Sequence, residues 1–341
     1  MNILLTGGTG YIGSHVAVVL NKGGHSVVLL DNFCNSQKVV LGQLKKILGR
    51  TFSFFEGDVR DLKLIIELLQ TKKIDAVIHL AGLKSVGESS NNPLEYYSNN
   101  VQGAVSLLQA MQACHVGKLV FSSSATVYGN PQYLPIDEEH PTAPVNPYGR
   151  TKLQVEQILQ DVCNADKNFR VTSLRYFNPV GADESGLIGE NPKGIPNNLM
   201  PFLTQVSAGK QKWLSIYGDD YSTPDGTGVR DYIHVTDLAL GHLSALNFLK
   251  NNKGMSTFNL GAGFGYSVLD LIEAFQHQSG KKIPYKIASR RDGDIATCYA
   301  NIDKAKLILN WSPQYSLDDM CASAWKWQQS LEVKVNKNDF N

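Results

Sequence analysis

"NILLTGGTGYIG", residues 2–13, decides how the rest of the chain is to be read. Its first part, NILLT at 2–6, is a continuous apolar run of the kind a strand buried on both faces carries. Gly7, Gly10 and Gly13 follow, and a helical pattern then runs from about Tyr11 to Lys22 and stops at Gly23-Gly24. A tight glycine turn between strand and helix lets the backbone approach a pyrophosphate, and the helix N-terminus offers free N–H groups and the positive end of its dipole. A glycine trio alone also makes plain turns. Here the context decides: strand before, helix after, and Asp31 at the end of the second strand, 18 residues past Gly13. A carboxylate there accepts hydrogen bonds from adenosine ribose hydroxyls and repels a 2′-phosphate, which favours NAD over NADP.

Outward from that loop, short apolar runs alternate with helical patterns. SVVLLD (26–31), a helix near 37–48, TFSFFEGD (51–58), a helix near 61–70 and DAVIHLAG (75–82) come first. A long helical stretch near 94–114, KLVFSSS (118–124), a helix near 148–164 and RVTSLRYF (170–177) complete the series. This alternation predicts an α/β fold, a doubly wound parallel Rossmann sheet with right-handed crossovers. Gly and Pro become frequent from Pro179 to Pro196, where the chain is expected to leave the sheet. The expected division is an NAD-binding domain at 1–178 and a smaller mixed α/β substrate region at 179–330, with some chain returning to the first domain. A polar tail at 331–341 is expected to fray.

Composition sets the class. The chain has 341 residues, 43% hydrophobic and 18% charged, with a net charge of +1. Such a balance argues against a nucleic-acid or membrane-surface protein, and no apolar run reaches transmembrane length. The first residues read as a strand and lack the marks of a signal peptide. Cys34, Cys114, Cys163, Cys298 and Cys321 are scattered, with no CxxC spacing and no metal-site pattern, so a cytoplasmic setting with free thiols is expected. Two helices carry unusually wide apolar stripes: Val101, Ala104, Val105, Leu107, Leu108, Ala110 and Met111 in one, and Leu153, Val155, Ile158, Leu159 and Val162 in the other. A subunit contact or a further layer of the same chain would account for them equally.

Chemistry-bearing residues lie at Ser124, Tyr148 and Lys152. NPYGRTK puts Tyr148 and Lys152 four residues apart, on one helix face. A lysine ammonium and an oxidised nicotinamide would both favour phenolate and bring a tyrosine toward the pKa of a useful base. Ser124 ends a strand, where open α/β sheets bind ligands, and its hydroxyl can orient or relay the proton. YxxxK pairs are commonly surface pairs, but behind a glycine loop and a serine-rich strand end the set reads as that of a dehydrogenase. Asp58-Val59, after the third strand, would either reach the adenine or be an ordinary strand end.

With DNFCNS (31–36), HLAGLKSVGES (79–89), FSSSATVYG (121–129), RYFNPVGA (175–182), GIPNNLMP (194–201) and GVRDYIHVTDLA (228–239), the chain resembles the UDP-galactose 4-epimerases of the extended short-chain dehydrogenases. The likeness runs in order from Met1 to about Trp327. It implies an enzyme that keeps NAD bound. Tyr148 would take the proton of the sugar 4-hydroxyl while C4 gives up hydride; the 4-keto sugar turns about its pyrophosphate linkage, and hydride returns to the other face. It also implies that Tyr11, Ile12, Asn32, Asn35, Ser36, Leu80, Ala81, Gly82, Lys84, Asn99 and Phe177 line the NAD site. Asn178, Asn198, Leu199, Tyr217, Arg230, Arg291 and Asp294 would face the UDP-sugar, the arginines clamping its diphosphate. The wide apolar helices would form a homodimer.

A 4,6-dehydratase needs an acid pair just after the serine, where this chain has Ala125-Thr126, and a uronate decarboxylase needs a carboxylate-binding arginine near that loop. An inert NAD-binding sensor would not need Ser124, Tyr148 and Lys152 together. In the family resembled, Cys298 stands at a gate: a small residue there implies room for a 2-acetamido group, hence action on UDP-GalNAc as well as UDP-galactose. The plainer reading of Cys298 is a small core hydrophobe.

Overall fold

A computed structural model describes residues 1–192, 196, 198–291 and 293–338. Gly194, Ile195 and Asn197 of GIPNNLMP lie outside the described residues, as do the last residues of the tail. The chain runs β1 (Asn2–Thr6), α1 (Tyr11–Lys22), β2 (Ser26–Asp31), α2 (Val39–Leu48), β3 (Ser53–Glu56), α3 (Leu62–Thr71) and β4 (Ala76–His79). Next come α4 (Val86–Asn91), α5 (Pro93–Tyr96), a wide π-type turn over Tyr97–Gln102, α6 (Gly103–Ala113), β5 (Lys118–Ser124), α7 (Pro147–Ala165) and β6 (Arg170–Tyr176).

The remaining chain gives β7 (Asn178–Val180), α8 (Leu199–Ser207), β8 (Leu214–Tyr217), β9 (Val229–Arg230), β10 (Tyr232–His234), α9 (Val235–Phe248) and β11 (Gly254–Leu260). It ends with β12 (Tyr266–Ser267), α10 (Val268–Ser279), β13 (Tyr285–Ala288), β14 (Thr297–Cys298), α11 (Asp303–Leu309) and α12 (Leu317–Asn338).

Seven strands form one sheet in the order β3-β2-β1-β4-β5-β6-β11, parallel at every pairing. Alternate residues of a strand face opposite sides. Ile3 and Leu5 therefore join the core formed with Val16 and Leu20 of α1, while Leu4 joins the opposite core with Leu68, Leu107 and Leu159. Chain order reverses between β1 and β4, and an open sheet has its crevice outside the carboxyl ends of the strands at that switch point.

The long helix expected near 94–114 is broken. Pro93 starts α5 and the backbone widens at 97–102 before α6 begins. Asn100 explains the widening: its side chain accepts from Leu83 N (2.8 Å) and donates to Leu83 O (3.0 Å) and to Thr151 Oγ1 (3.1 Å), tying the turn to the loop after β4 and to α7. The strand expected at 51–58 covers only Ser53–Glu56. Helix α12 continues to Asn338, through the segment expected to fray. Ala104, Leu107, Leu108, Ala110 and Met111 of α6 are buried by the chain itself, whereas Val101, Ile158 and Val162 are half-buried.

A third core, including Leu203, Ile216, Leu271, Phe275 and Met320, holds the smaller sheets β10-β7, β12-β9-β14 and β13-β8. The chain returns to the main sheet in between: β11 pairs with β6, and α9 packs on α1. Among the described residues, no helix is long and apolar enough to cross a membrane, and no group of His, Cys, Asp and Glu is placed to hold a metal.

Candidate active site

The glycine loop leaves no room for side chains. A Cβ on Gly7, whose φ is +69°, would lie 2.8 Å from Ala81 N, and one on Gly13 would lie 2.1 Å from Gly7 O. No side chain caps α1 at Gly10, which leaves the N–H groups of its first turn to an outside acceptor. Asp31 braces this cradle, accepting from Thr9 N (3.0 Å), Phe33 N (2.9 Å) and Ser36 Oγ (2.9 Å). Such a cradle, bare of side chains and ending on a carboxylate, fits a dinucleotide without a 2′-phosphate.

The other residues expected at the cofactor lie around it. Asn32 donates to Asp58, while Asn35 is exposed beside it. Arg60 holds Asp58 from Nε (2.9 Å) and Nη2 (2.8 Å), and this pairing holds the carboxyl down at about 2. Val59 is buried in the core, so its main chain is the part left to meet a nucleotide. Ile12 packs on the core beneath α1, and Tyr11 donates from its hydroxyl to Gly181 O at 2.7 Å. After β4, Leu80 N and Ala81 N bond to Thr6, and Gly82 lies beside Asn100 and Lys152. Asn99 donates to Asn100 Oδ1, and Phe177 is buried.

Asn146 caps the start of α7. Its side chain accepts from Gly149 N at 2.9 Å, with Pro147 at the first helical position. Tyr148 is thereby set in the first turn and Lys152 one turn later. Tyr148 shares a hydrogen bond with Ser124, whose Oγ also accepts from Thr126 Oγ1 (2.9 Å) and Thr126 N (3.2 Å). Burial raises the Tyr148 phenol, and the Ser124 bond and the Lys84 cation oppose that rise.

Lys152 reaches both the Tyr148 ring and the strand beside it. The Lys152 Nζ lies 5.9 Å from the Tyr148 ring centroid and donates to Ser122 O at 2.6 Å. Both lysines therefore bear on Tyr148, Lys152 at its ring and Lys84 as a charge that favours the ionised phenol. Burial brings Lys152 down to about 8, against the opposing charge of Glu156. Glu156 is itself paired to Arg175 (2.7 Å) and accepts from Ser173 (2.9 Å).

A cleft gathers Asn178, Asn198, Leu199, Tyr217, Arg230, Arg291 and Asp294. Asp294 lies between the two arginines, 3.5 Å from Arg230 Nη2 and 3.0 Å from Arg291 Nε, and the Arg291 guanidinium stacks 4.6 Å over the Tyr217 ring. Two guanidiniums sharing one carboxylate keep net positive charge, which suits a diphosphate. Cys298 is not on the lining. It is buried in an apolar cluster with Val127, Tyr128, Ile136 and Phe177, and burial pushes its thiol up to about 11.

Sequence reading missed Ser215, Ile216 and Tyr221 on the lining, Thr126 against Ser124, and Glu190, whose carboxylate accepts from both Lys84 and Asn198. Ser215 and Ile216 sit on a four-residue strand too short to show a period, and Glu190 sits in a stretch rich in Gly and Pro.

The GDP-mannose 4,6 dehydratase family model matches residues 4–324. A UDP-glucose 4-epimerase of Bacillus subtilis is 53% identical over 97% of each chain. The chain belongs to the UDP-glucose 4-epimerase family. Two solved epimerases of the family carry the likeness into three dimensions. That of Stenotrophomonas maltophila, with bound NAD and formylated UDP-arabinopyranose, superposes with a TM-score of 0.96 at 49% identity, covering 98% of this chain and 99% of that one. That of Bifidobacterium longum, in complex with NAD+ and UDP, gives 0.94 at 50% identity over 97% and 98%. Ala125-Thr126 after Ser124 leaves no carboxylate where the acid pair of a 4,6-dehydratase is expected.

Proposed function

We infer that this chain's NAD-dependent 4-epimerisation of UDP-sugars, between UDP-galactose and UDP-glucose, runs through Tyr148, Ser124 and Lys152. The observation that carries the reading is the grouping of these three side chains at the carboxyl end of β5, together with a cleft that holds two arginines on one carboxylate. Bound NAD supplies a hydride acceptor and then its donor. Tyr148 takes the proton of the sugar 4-hydroxyl and later returns it to the 4-oxygen when hydride comes back to the other face of C4, so the same group is base and then acid. Ser124, hydrogen-bonded to Tyr148, orients that hydroxyl. Arg230 and Arg291 hold the diphosphate as the pivot about which the 4-keto sugar turns.

The NAD-facing set is Gly7, Gly10, Gly13, Asp31 and the residues packed around them; the UDP-facing set is the cleft lining. Cys298, off the cleft lining but in one buried cluster with Phe177, spares that cluster the bulk of a tyrosine, and on this reading the substrates extend to UDP-GalNAc and UDP-GlcNAc. The half-buried Val101, Ile158 and Val162 of the helices near 94–114 and 148–164 fit a homodimer contact, and the five free cysteines fit the cytoplasm.

The test is to incubate the protein as purified, with no added nucleotide, with UDP-galactose and to follow UDP-glucose by proton NMR. Conversion to the epimeric mixture is expected. No conversion by protein shown to contain NAD would overturn the reading.

A further inference from the structure

We propose that Glu190 is a positioning residue shared by the two halves of the site, holding Lys84 beside Tyr148 and aiming the Asn198 amide into the UDP-sugar cleft. The proposal rests on the roles given above to Tyr148 and Asn198. One oxygen, Glu190 Oε1, accepts both from Lys84 Nζ at 2.8 Å and from Asn198 Nδ2 at 2.7 Å. Lys84 comes from the loop after β4 and Asn198 from the start of α8, so a single carboxylate joins a cofactor-side loop to the substrate-side helix.

This is not an ordinary surface ion pair of the kind that contributes little. The Glu190 side chain is only 9% exposed, although the lysine it meets is 54% exposed. Its backbone is also held. The buried Trp327 indole, on α12, donates from Nε1 to Glu190 O at 3.1 Å. Gly189 lies so close to that indole that a Cβ would stand 2.5 Å from ring carbons. Gly189 bridges to Ala182, next to the Gly181 carbonyl that accepts from Tyr11. Strand bridge and indole thus hold the backbone that carries this side chain, next to the carbonyl that accepts from Tyr11.

The placement has a consequence for charge. The groups facing Glu190 are the Lys84 ammonium, the Asn198 amide and the Tyr11 phenol, with Tyr148 beyond Lys84. Lys84 favours the phenolate of Tyr148, and Glu190 offsets part of that charge while fixing where it sits. Loss of the negative charge alone strengthens the pull of Lys84 on the phenol. Loss of the whole side chain also frees Asn198.

The two effects separate in a pair of variants. Glu190→Gln keeps an amide oxygen for Asn198 and removes the charge. It should move the acid limb of the kcat profile to lower pH by roughly half a unit or more, with KM for UDP-galactose near the original value. Glu190→Ala should in addition weaken UDP binding, measured by calorimetry, by about tenfold. UDP binding involves no proton transfer, so that arm stands even if Tyr148 proves not to be the base. Should Glu190→Ala unfold, Trp327→Phe keeps the ring and removes the indole N–H, and should raise KM with an intact circular-dichroism spectrum. A wild-type pH profile in Glu190→Gln together with wild-type UDP affinity in Glu190→Ala, or wild-type KM in a folded Trp327→Phe, would overturn the proposal.

Discussion

Lys152 donates from Nζ to the main-chain oxygen of Ser122 at 2.6 Å, and that bond ties α7 to the strand that ends at Ser124. The ammonium is aimed at the strand, with the Phe121 ring 5.1 Å away and the Tyr148 ring 5.9 Å away. One lysine thereby sets the separation of α7 from β5, and with it that of Tyr148 from Ser124.

Its proton is weakly held. Burial lowers Lys152 to about 8, so the charge is present below that pH and lost above it. Turnover should fall above about pH 8. Lys152→Ala should have a lower rate throughout, an optimum displaced upward because the phenol loses a cationic neighbour, and no separate fall near pH 8. A pH profile in Lys152→Ala that matches the original would remove the lysine from the chemistry.

Tyr148→Phe should lower kcat by about 10²- to 10⁴-fold, the range of a general acid–base group, and should retain NAD. Bound nucleotide is read by denaturing the purified variant and assaying the supernatant. Near-original turnover would dismiss Tyr148 as the base, while NADP as the main nucleotide recovered from the unaltered protein would contradict the role given to Asp31.

Gly13→Ala places a methyl group 2.1 Å from Gly7 O, and a backbone oxygen cannot step aside as a flexible side chain can. The variant should lose bound NAD and melt several degrees lower, a destabilisation of about 2 kcal/mol or more. Full NAD content in the variant would show that the loop has slack which the geometry denies.

Cys298→Tyr tests the sugar end. Buried beside Phe177 and Val127, Cys298 cannot give way to a tyrosine without displacing the wall toward the substrate. Conversion of UDP-GalNAc should be suppressed and that of UDP-galactose largely kept, at a stability loss of about 1–3 kcal/mol from overpacking. An unaltered protein active on UDP-galactose but inert toward UDP-GalNAc would leave Cys298 a core residue and nothing more.

The features legible in the sequence were those whose information is local. An apolar run, glycines at Gly7, Gly10 and Gly13 and an acid at Asp31 imply a dinucleotide turn, because turn geometry and helix-end dipoles act over a few residues. Tyr148 and Lys152 share a face because a helix repeats every 3.6 residues. Strand alternation implied the parallel sheet, since each crossover constrains only its neighbours.

What only the tertiary structure decided are contacts between distant segments. Glu190 meets Lys84 across 106 positions, and Lys152 meets Ser122 across 30. Asp294 meets Arg230, and Asn100 bends the helix expected at 94–114 because Leu83 and Thr151 engage its amide. Some return of the chain to the first domain was expected, but not that β11 would do so beside β6, since a strand's period does not say which neighbour it pairs with. Hydrophobic periodicity specifies which face is buried. Which polar side chains meet at the strand ends depends on sheet order and loop paths, and these follow from packing the whole chain at once.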